Sequence, residues 1–220
     1  MQLNLDYSLC EGYKSNTQKM RVVTEKWVEQ NMFCPICGRP HLHHYTANKP
    51  VADFCCEDCH NDFELKSKNQ VALGKVINDG AYDTMMERLN DLHNPNFLFM
   101  THTDEYVRNF ILIPNHFFTP EIIIKRKPLA DDARRAGWVG CNINIADIPQ
   151  SGKIYIVKDG VEIDRNKVID DYAKIRSLAT NSLTSRGWML DVLSCVERMK
   201  DDFFTLKEMY DFCDELQEKH

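Results

Sequence analysis

A chain of 220 residues, 43% apolar and 27% charged, suffices for one α/β domain and a small appendage. No apolar run approaches the ~20 residues of a membrane span, and the N-terminus lacks the basic start and apolar core of a signal peptide, so a cytoplasmic protein is expected. The net charge of −6 excludes a surface that is basic overall, though not a local basic cleft that meets nucleic acid.

In chain order, Ser15 to about Gln30 reads as a helix: Met20, Val23 and Trp27 recur at three- and four-residue steps, and Ser15 or Asn16 can cap the start. A loop-rich region runs from Cys34 to His60. An extended run follows from Phe63 to Ser67, then a helix from about Asp79 to Leu92. NFLFMTHT (96–103) and NFILIPN (109–115) read as a hairpin, and KIYIVKDG (153–160) as a strand with a turn. Residues 165 to 178 are helical in composition. RSLATNSLTSRG (176–187) is small and polar and fits a linker. WMLDVLSCVERM then repeats apolar residues at helical spacing, and TLKEMYDFCDEL opens with a capping box, Thr205 and Glu208, ahead of Met209, Phe212, Cys213 and Leu216.

Five of the nine cysteines crowd between residues 34 and 59. Cys34-Pro-Ile-Cys37 and Cys56-Glu-Asp-Cys59 are both C-x2-C, separated by 18 residues, a spacing that suits a structural zinc ion closed by four thiolates. Cys56 keeps the two-residue gap and Cys55 does not. A redox pair is the competing reading. His41, His43, His44 and His60 are expected to be solvated, and Cys10, Cys141, Cys195 and Cys213 to be mostly buried as small apolar groups.

Glu64-Leu65-Lys66 places Glu64 and Lys66 on one side of a strand. An antiparallel return through the second knuckle would bring Asp53 beside Glu64. Asp53, Glu64 and the Leu65 carbonyl are hard oxygen ligands suited to Mg²⁺, and Lys66 could stabilise charge on a phosphodiester or help to deprotonate a water. About one D/E-x-K triplet is expected by chance in a chain of this size, so the motif by itself also fits a charged strand edge.

"YKSNTQKMRVVTEKWV", the two knuckles, "KPVADF", "FELKSK", "INDGAYDTMMER", "NPNFLF", "KRKPLADDARRAGWVGCNI" and "TSRGWMLDVL" together resemble the DpnI-type restriction endonucleases along essentially the whole chain. The resemblance implies an α/β fold: a PD-(D/E)xK restriction-endonuclease-like core at 1–180 with an inserted four-cysteine zinc knuckle (34–59). A partial winged-helix DNA-binding segment follows at 181–220. It implies an enzyme that cuts both strands of adenine-methylated GATC sites with Mg²⁺. Asp53, Glu64 and Lys66 match the catalytic D…ExK of that family, and Cys34, Cys37, Cys56 and Cys59 match its zinc ligands. Glu25 stands where the nuclease superfamily often has a supporting acid. In the family the C-terminal domain continues into a recognition helix and basic wing. Here the sequence stops at "DELQEKH", with seven acidic and two basic side chains in 201–219, so a truncated winged helix is expected.

Lys125, Arg126, Lys127, Arg134, Arg135 and Trp138 could neutralise phosphates and lay an aromatic plane against DNA, or form a solvated basic loop. The resemblance favours DNA contact, with Trp138 sensing the methylated groove. Cutting both strands requires a transient dimer on the site or one monomer acting twice. Two other readings stand beside this one: a non-catalytic zinc-ribbon DNA-binding module, and a related nuclease of relaxed specificity.

Overall fold

The computed structural model describes residues 1–45, 52–89, 91, 94–199 and 203–220. Lys49, Pro50 and Val51 of the KPVADF motif, and the predicted helix end at Leu92, lie outside the described residues.

Helix α1 (Asn16–Asn31) has Ser15 at its N-cap position and buries Val23, Thr24, Trp27 and Val28. Strands β1 (His43–His44) and β2 (Phe54–Cys55) are short; β3 (Asp62–Asn69) is long. Then come β4 (Val76–Ala81), α2 (Tyr82–Leu89), β5 (Asn96–His102), β6 (Val107–Ile113), β7 (Ile123–Lys125) and β8 (Gly140–Asn144). Strands β9 (Ile154–Lys158) and β10 (Val161–Glu162) precede four helices: α3 (Arg165–Ile175), α4 (Leu183–Arg198), α5 (Leu206–Tyr210) and α6 (Cys213–Lys219).

Two compact units emerge, neither continuous in sequence: Met1–Gly74 with His93–Asn115 and Lys153–Ser177, and Lys75–Leu92 with His116–Gly152 and Leu178–His220. The first holds a seven-stranded sheet in the order β1-β2-β3-β5-β6-β9-β10, with β3 and β5 parallel and every other neighbouring pair antiparallel. Every residue of β5 is buried. A strand flanked on both edges and covered on both faces reads as an unbroken apolar run, which is the pattern of NFLFM. Trp27 of α1 meets the Phe110 ring edge-on at 5.5 Å, and its indole N–H donates to the Gln2 carbonyl at 2.8 Å, so the polar edge of this buried ring is satisfied. Asp164 caps α3, accepting from the Asn166 and Lys167 N–H groups.

The second unit holds the antiparallel sheet β4-β8-β7 together with α2, α4, α5 and α6. The predicted helix over 79–92 starts only at Tyr82, because Asp79, Gly80 and Ala81 finish β4. The predicted linker over 176–187 is partly ordered: Ser182 accepts from the Ser185 N–H and starts α4 at Leu183. Arg186 explains the difference. Its guanidinium is 5% exposed, donates to the carbonyls of Thr180 and Leu89 at 2.8 and 3.0 Å, and so closes the C-terminal end of α2. Tertiary contact overrides a weak local propensity there. The Thr205–Glu208 capping box forms as the sequence predicts.

Candidate active site and metal centre

Each cysteine knuckle is a tight turn with the same hydrogen-bond frame. Cys34 N–H donates to Arg39 O and Gly38 N–H to Cys34 O; Cys56 N–H donates to Asn61 O and His60 N–H to Cys56 O. Gly38 and His60 occupy matching left-handed positions, at φ 80° and 55°. Arg39 pairs with both Glu57 and Asp58 and ties the first knuckle to the second. From α3, Arg165 donates to the Gly38 carbonyl and lies over the Phe33 ring.

The four predicted sulfurs converge. All four Sγ atoms lie within 4.8 Å of one another, with Cys34–Cys59 at 3.7 Å and Cys37–Cys56 at 3.5 Å. A zinc ion with Zn–S bonds of about 2.3 Å has tetrahedral edges near ~3.8 Å, so the cage fits this ion. Burial pushes the Cys34 and Cys59 thiols up. Burial also works against the Cys56 thiolate, but hydrogen bonds from the Cys59 and Asp58 N–H groups and the neighbouring thiols bring Cys56 below the usual thiol range.

The second knuckle forms the turn between β2 and β3, which pair antiparallel with Phe54 opposite Phe63 and Cys55 opposite Asp62. One step further along that register stand Asp53 and Glu64. Asp53 Oδ2 accepts the Leu65 N–H at 2.8 Å, and Asp53 N–H donates to Phe63 O at 2.9 Å, so the carboxylate is anchored to the strand that carries Glu64 and Lys66. Lys66 Nζ lies 2.6 Å from Glu64 Oε1. Burial, and then the charge of Glu25, raise the Asp53 pKa; the Leu65 N–H, Lys66 and Arg21 oppose the rise.

Glu25 is not a solvated mid-helix acid. Its side chain is 12% exposed, accepts from Arg21 Nε at 2.7 Å and stands 3.5 Å from His44 Nε2. His44 is accordingly half-buried against the site, against the expectation of a purely solvated ring, while His41, His43 and His60 are exposed or half-exposed. Cys55 shares its side of the strand pair with Tyr45, whose hydroxyl donates to Asp62 Oδ1 at 2.7 Å. Burial and the hydrogen bonds with Cys55 and Asp62 push the Tyr45 phenol up. Cys10, Cys141 and Cys195 are buried as expected; Cys213 is half-exposed. Among the described residues no second group of three or more His, Cys, Asp or Glu ligand atoms converges. By the β2–β3 register Asp53, the residue before β2, stands opposite Glu64 of β3, with Lys66 beside Glu64.

Lys125, Arg126, Lys127, Arg134 and Arg135 are exposed in and after β7, all within the second unit. The chain between β7 and β8 is folded: Leu129 N–H donates to Trp138 O, Gly137 N–H to Leu129 O, and Arg126 N–H to Gly140 O. Arg135 stacks on the Trp138 ring at 4.5 Å and Lys125 lies 4.8 Å from the Tyr82 ring centre. A Cβ at Gly140 would lie 2.7 Å from the Trp138 ring, so the bare glycine lets the indole lie on the backbone. Trp138 is half-buried, and Arg134 and Arg135 lie just before it in sequence.

The comparison with protein families falls on this frame. Residues 1–181 match the Dam-replacing family, DpnI, and residues 184–220 match its Dam-replacing HTH domain. The cysteine cage, the mixed α/β architecture and the C-terminal helices agree with that assignment. The chain belongs to the DpnI, Dam-replacing family of methyl-directed DNA endonucleases and carries the family's HTH domain at its C-terminal end.

Proposed function

We propose that this protein is a Mg²⁺-dependent type II restriction endonuclease that cleaves both strands of double-stranded DNA at adenine-methylated GATC sites. Residues 1–180 would form the nuclease domain and 181–220 the DNA-binding domain. The observation that carries the reading is the anchoring of Asp53 to the Leu65 N–H, which brings it beside the Glu64–Lys66 pair.

The donor set fits a hard cation. Asp53, Glu64 and the Leu65 carbonyl offer oxygen only, and burial, then the charge of Glu25, disfavour the Asp53 carboxylate, a cost that a bound cation would offset. Asp53, Glu64 and the Leu65 carbonyl would hold magnesium, which would supply a counter-charge to the phosphodiester and make a water easier to deprotonate. The Leu65 N–H fixes one Asp53 oxygen. Glu64 orients Lys66, whose side chain is 23% exposed and within reach of a phosphate from that anchor. Lys66 stabilises the charge that develops on the phosphate oxygens, or positions the attacking water and favours its deprotonation. Glu25, ion-paired with Arg21, keeps a second acid close to Asp53.

For DNA contact, the reading assigns phosphates to Lys125, Arg126, Lys127, Arg134 and Arg135, and the methylated groove to Trp138. Exposure of the five cations and the folding of the loop around the indole support it.

Incubation with Mg²⁺ and plasmid prepared with or without adenine methylation tests the proposal. Cleavage of the methylated plasmid alone is expected, with Lys66→Ala at least ~100-fold slower than the parent. No cleavage of either plasmid would sink the enzyme reading; equal cleavage of both would remove methyl dependence; an undiminished Lys66→Ala would clear Lys66.

A further inference from the structure

The residue after the second knuckle turn, Asn61, reaches back to a zinc ligand. Its amide nitrogen lies 3.4 Å from Cys59 Sγ and donates to the Cys59 carbonyl at 3.1 Å. Asn61 Oδ1 in turn accepts from Asn96 Nδ2 at 3.2 Å. Asn96 is 3% exposed and fully engaged: Nδ2 also donates to the Asp62 carbonyl at 3.3 Å, and Oδ1 accepts the Asn115 backbone N–H at 3.1 Å. Asn115 Nδ2 donates to the Asn94 carbonyl at 2.7 Å.

A carboxamide can be placed either way round, but here the direction is forced. Asp62 presents a carbonyl, which only accepts, and Asn115 presents an N–H, which only donates. Asn96 satisfies both in a single orientation. That orientation offers an N–H to Asn61, which must answer with its oxygen and so turns its own N–H towards Cys59. The polarity of two backbone groups, one in β3 and one beyond β6, is thereby delivered to a sulfur.

Four thiolates around one divalent cation leave excess negative charge on sulfur. An N–H donor spreads that charge and fixes the ligand's position. We infer that Asn61 and Asn96 form an outer hydrogen-bond relay that positions the Cys59 thiolate for zinc, Asn61 directly and Asn96 through Asn61. The relay rests on the four-cysteine cluster holding zinc, and it also roots the metal centre in the buried end of β5.

The test uses the full chain loaded with zinc and follows metal transfer to a chromogenic chelator. Cobalt-substituted protein provides a second readout, the sulfur-to-cobalt charge-transfer band. Asn61→Ala is expected to release zinc ~10- to 100-fold faster than the parent and to shift the band. Asn96→Ala acts in the same direction, and the double variant releases zinc no faster than Asn61→Ala, because the two act in series. Asn61→Asp keeps the acceptor for Asn96 and loses the donor to sulfur, so it too releases zinc faster. Asn109→Ala is the control for general destabilisation, since that buried amide donates to Val71 O and Thr101 Oγ1 in the same unit. Its cobalt band is expected at the parent's position.

Parent-like release from Asn61→Ala or Asn61→Asp overturns the relay, as does additivity in the double variant or an equal band shift in Asn109→Ala. Should Asn96→Ala fail to fold, Asn61→Ala still decides the matter, because the Asn61 carbonyl that accepts the Cys56 N–H belongs to the backbone and survives the change. A parent that holds no zinc overturns the metal centre itself, and the relay with it.

Discussion

His102 ends β5, 1% exposed, with Nδ1 2.8 Å from the Thr103 carbonyl, so the neutral ring donates its proton there. Burial holds its pKa below the ordinary 6.5; the Thr103 carbonyl and Asp104 oppose that shift without reversing it. A histidine that is harder to protonate when folded lets the unfolded chain take up the proton first. Its contribution to stability is therefore complete above pH 6.5 and is lost as the pH falls from there through the lowered folded value. Denaturant melts are expected to weaken as pH drops below 6.5, and His102→Gln is expected to flatten that dependence. An unchanged pH slope in the variant would remove His102 as its source. At the same scale, Glu25 lies close enough to Asp53 to raise its pKa and Asn61 reaches the Cys59 sulfur, although no motif spacing singles out these partners. The Arg21–Glu25 step of four is legible on a helix, but it is as common on solvated faces. Asn61 carries no sequence signal at all, since its role depends on Asn96 of another strand.

The second knuckle serves two elements at once. It closes the four-cysteine cage, and it is the turn that returns β2 to β3 with Asp53 anchored to the Leu65 N–H. The first knuckle relies on Gly38, whose φ of 80° suits glycine and whose Cβ, if present, would lie 2.9 Å from Ile169 Cδ1 on α3. Gly38→Ala is expected to cost about 1–3 kcal/mol through backbone strain, measured by thermal or chemical unfolding, and to loosen zinc. A variant as stable as the parent would mean that α3 and the turn relax together. The same element scale explains which strands were legible. NFLFMTH and KIYIVK are runs whose burial shows in their composition, and they form β5 and β9. VINDGA, IIK and GCNIN, which form β4, β7 and β8, are short or polar and become strands only by pairing with one another.

Over the whole molecule, the catalytic candidates and the four-cysteine cage lie in one unit, and the basic loop and the HTH helices in the other. The two are interleaved along the chain, so neither can be read off as a continuous stretch. The net charge of −6 sits with a concentrated positive segment, Lys125 to Arg135, which is where ionic strength should act on DNA binding. If Arg134 and Arg135 each neutralise one phosphate, the double change Arg134→Ala with Arg135→Ala should make the plot of log affinity against log salt shallower by roughly 1.8. Binding isotherms at several salt concentrations check this, and an unchanged slope would take both residues off the phosphate backbone.

Sequence by itself determined the features that depend on spacing within a few residues. These are the two C-x2-C knuckles and the choice of Cys56 over Cys55, the Glu64–Lys66 pair, the helix of Val23 and Trp27, and the Thr205–Glu208 capping box. Each is a local geometry that the chain satisfies without help from distant segments. Only the tertiary structure decided the hydrogen bond from the Leu65 N–H to Asp53, the burial of Glu25 beside Asp53, the helical start of α4 around Arg186, and the path from Asn115 through Asn96 to the Cys59 sulfur. Those depend on which backbone groups meet across strands and helices far apart in the chain, and burial there fixes the direction of every hydrogen bond, because an amide, a guanidinium or a carboxylate removed from water must find its partner inside the protein.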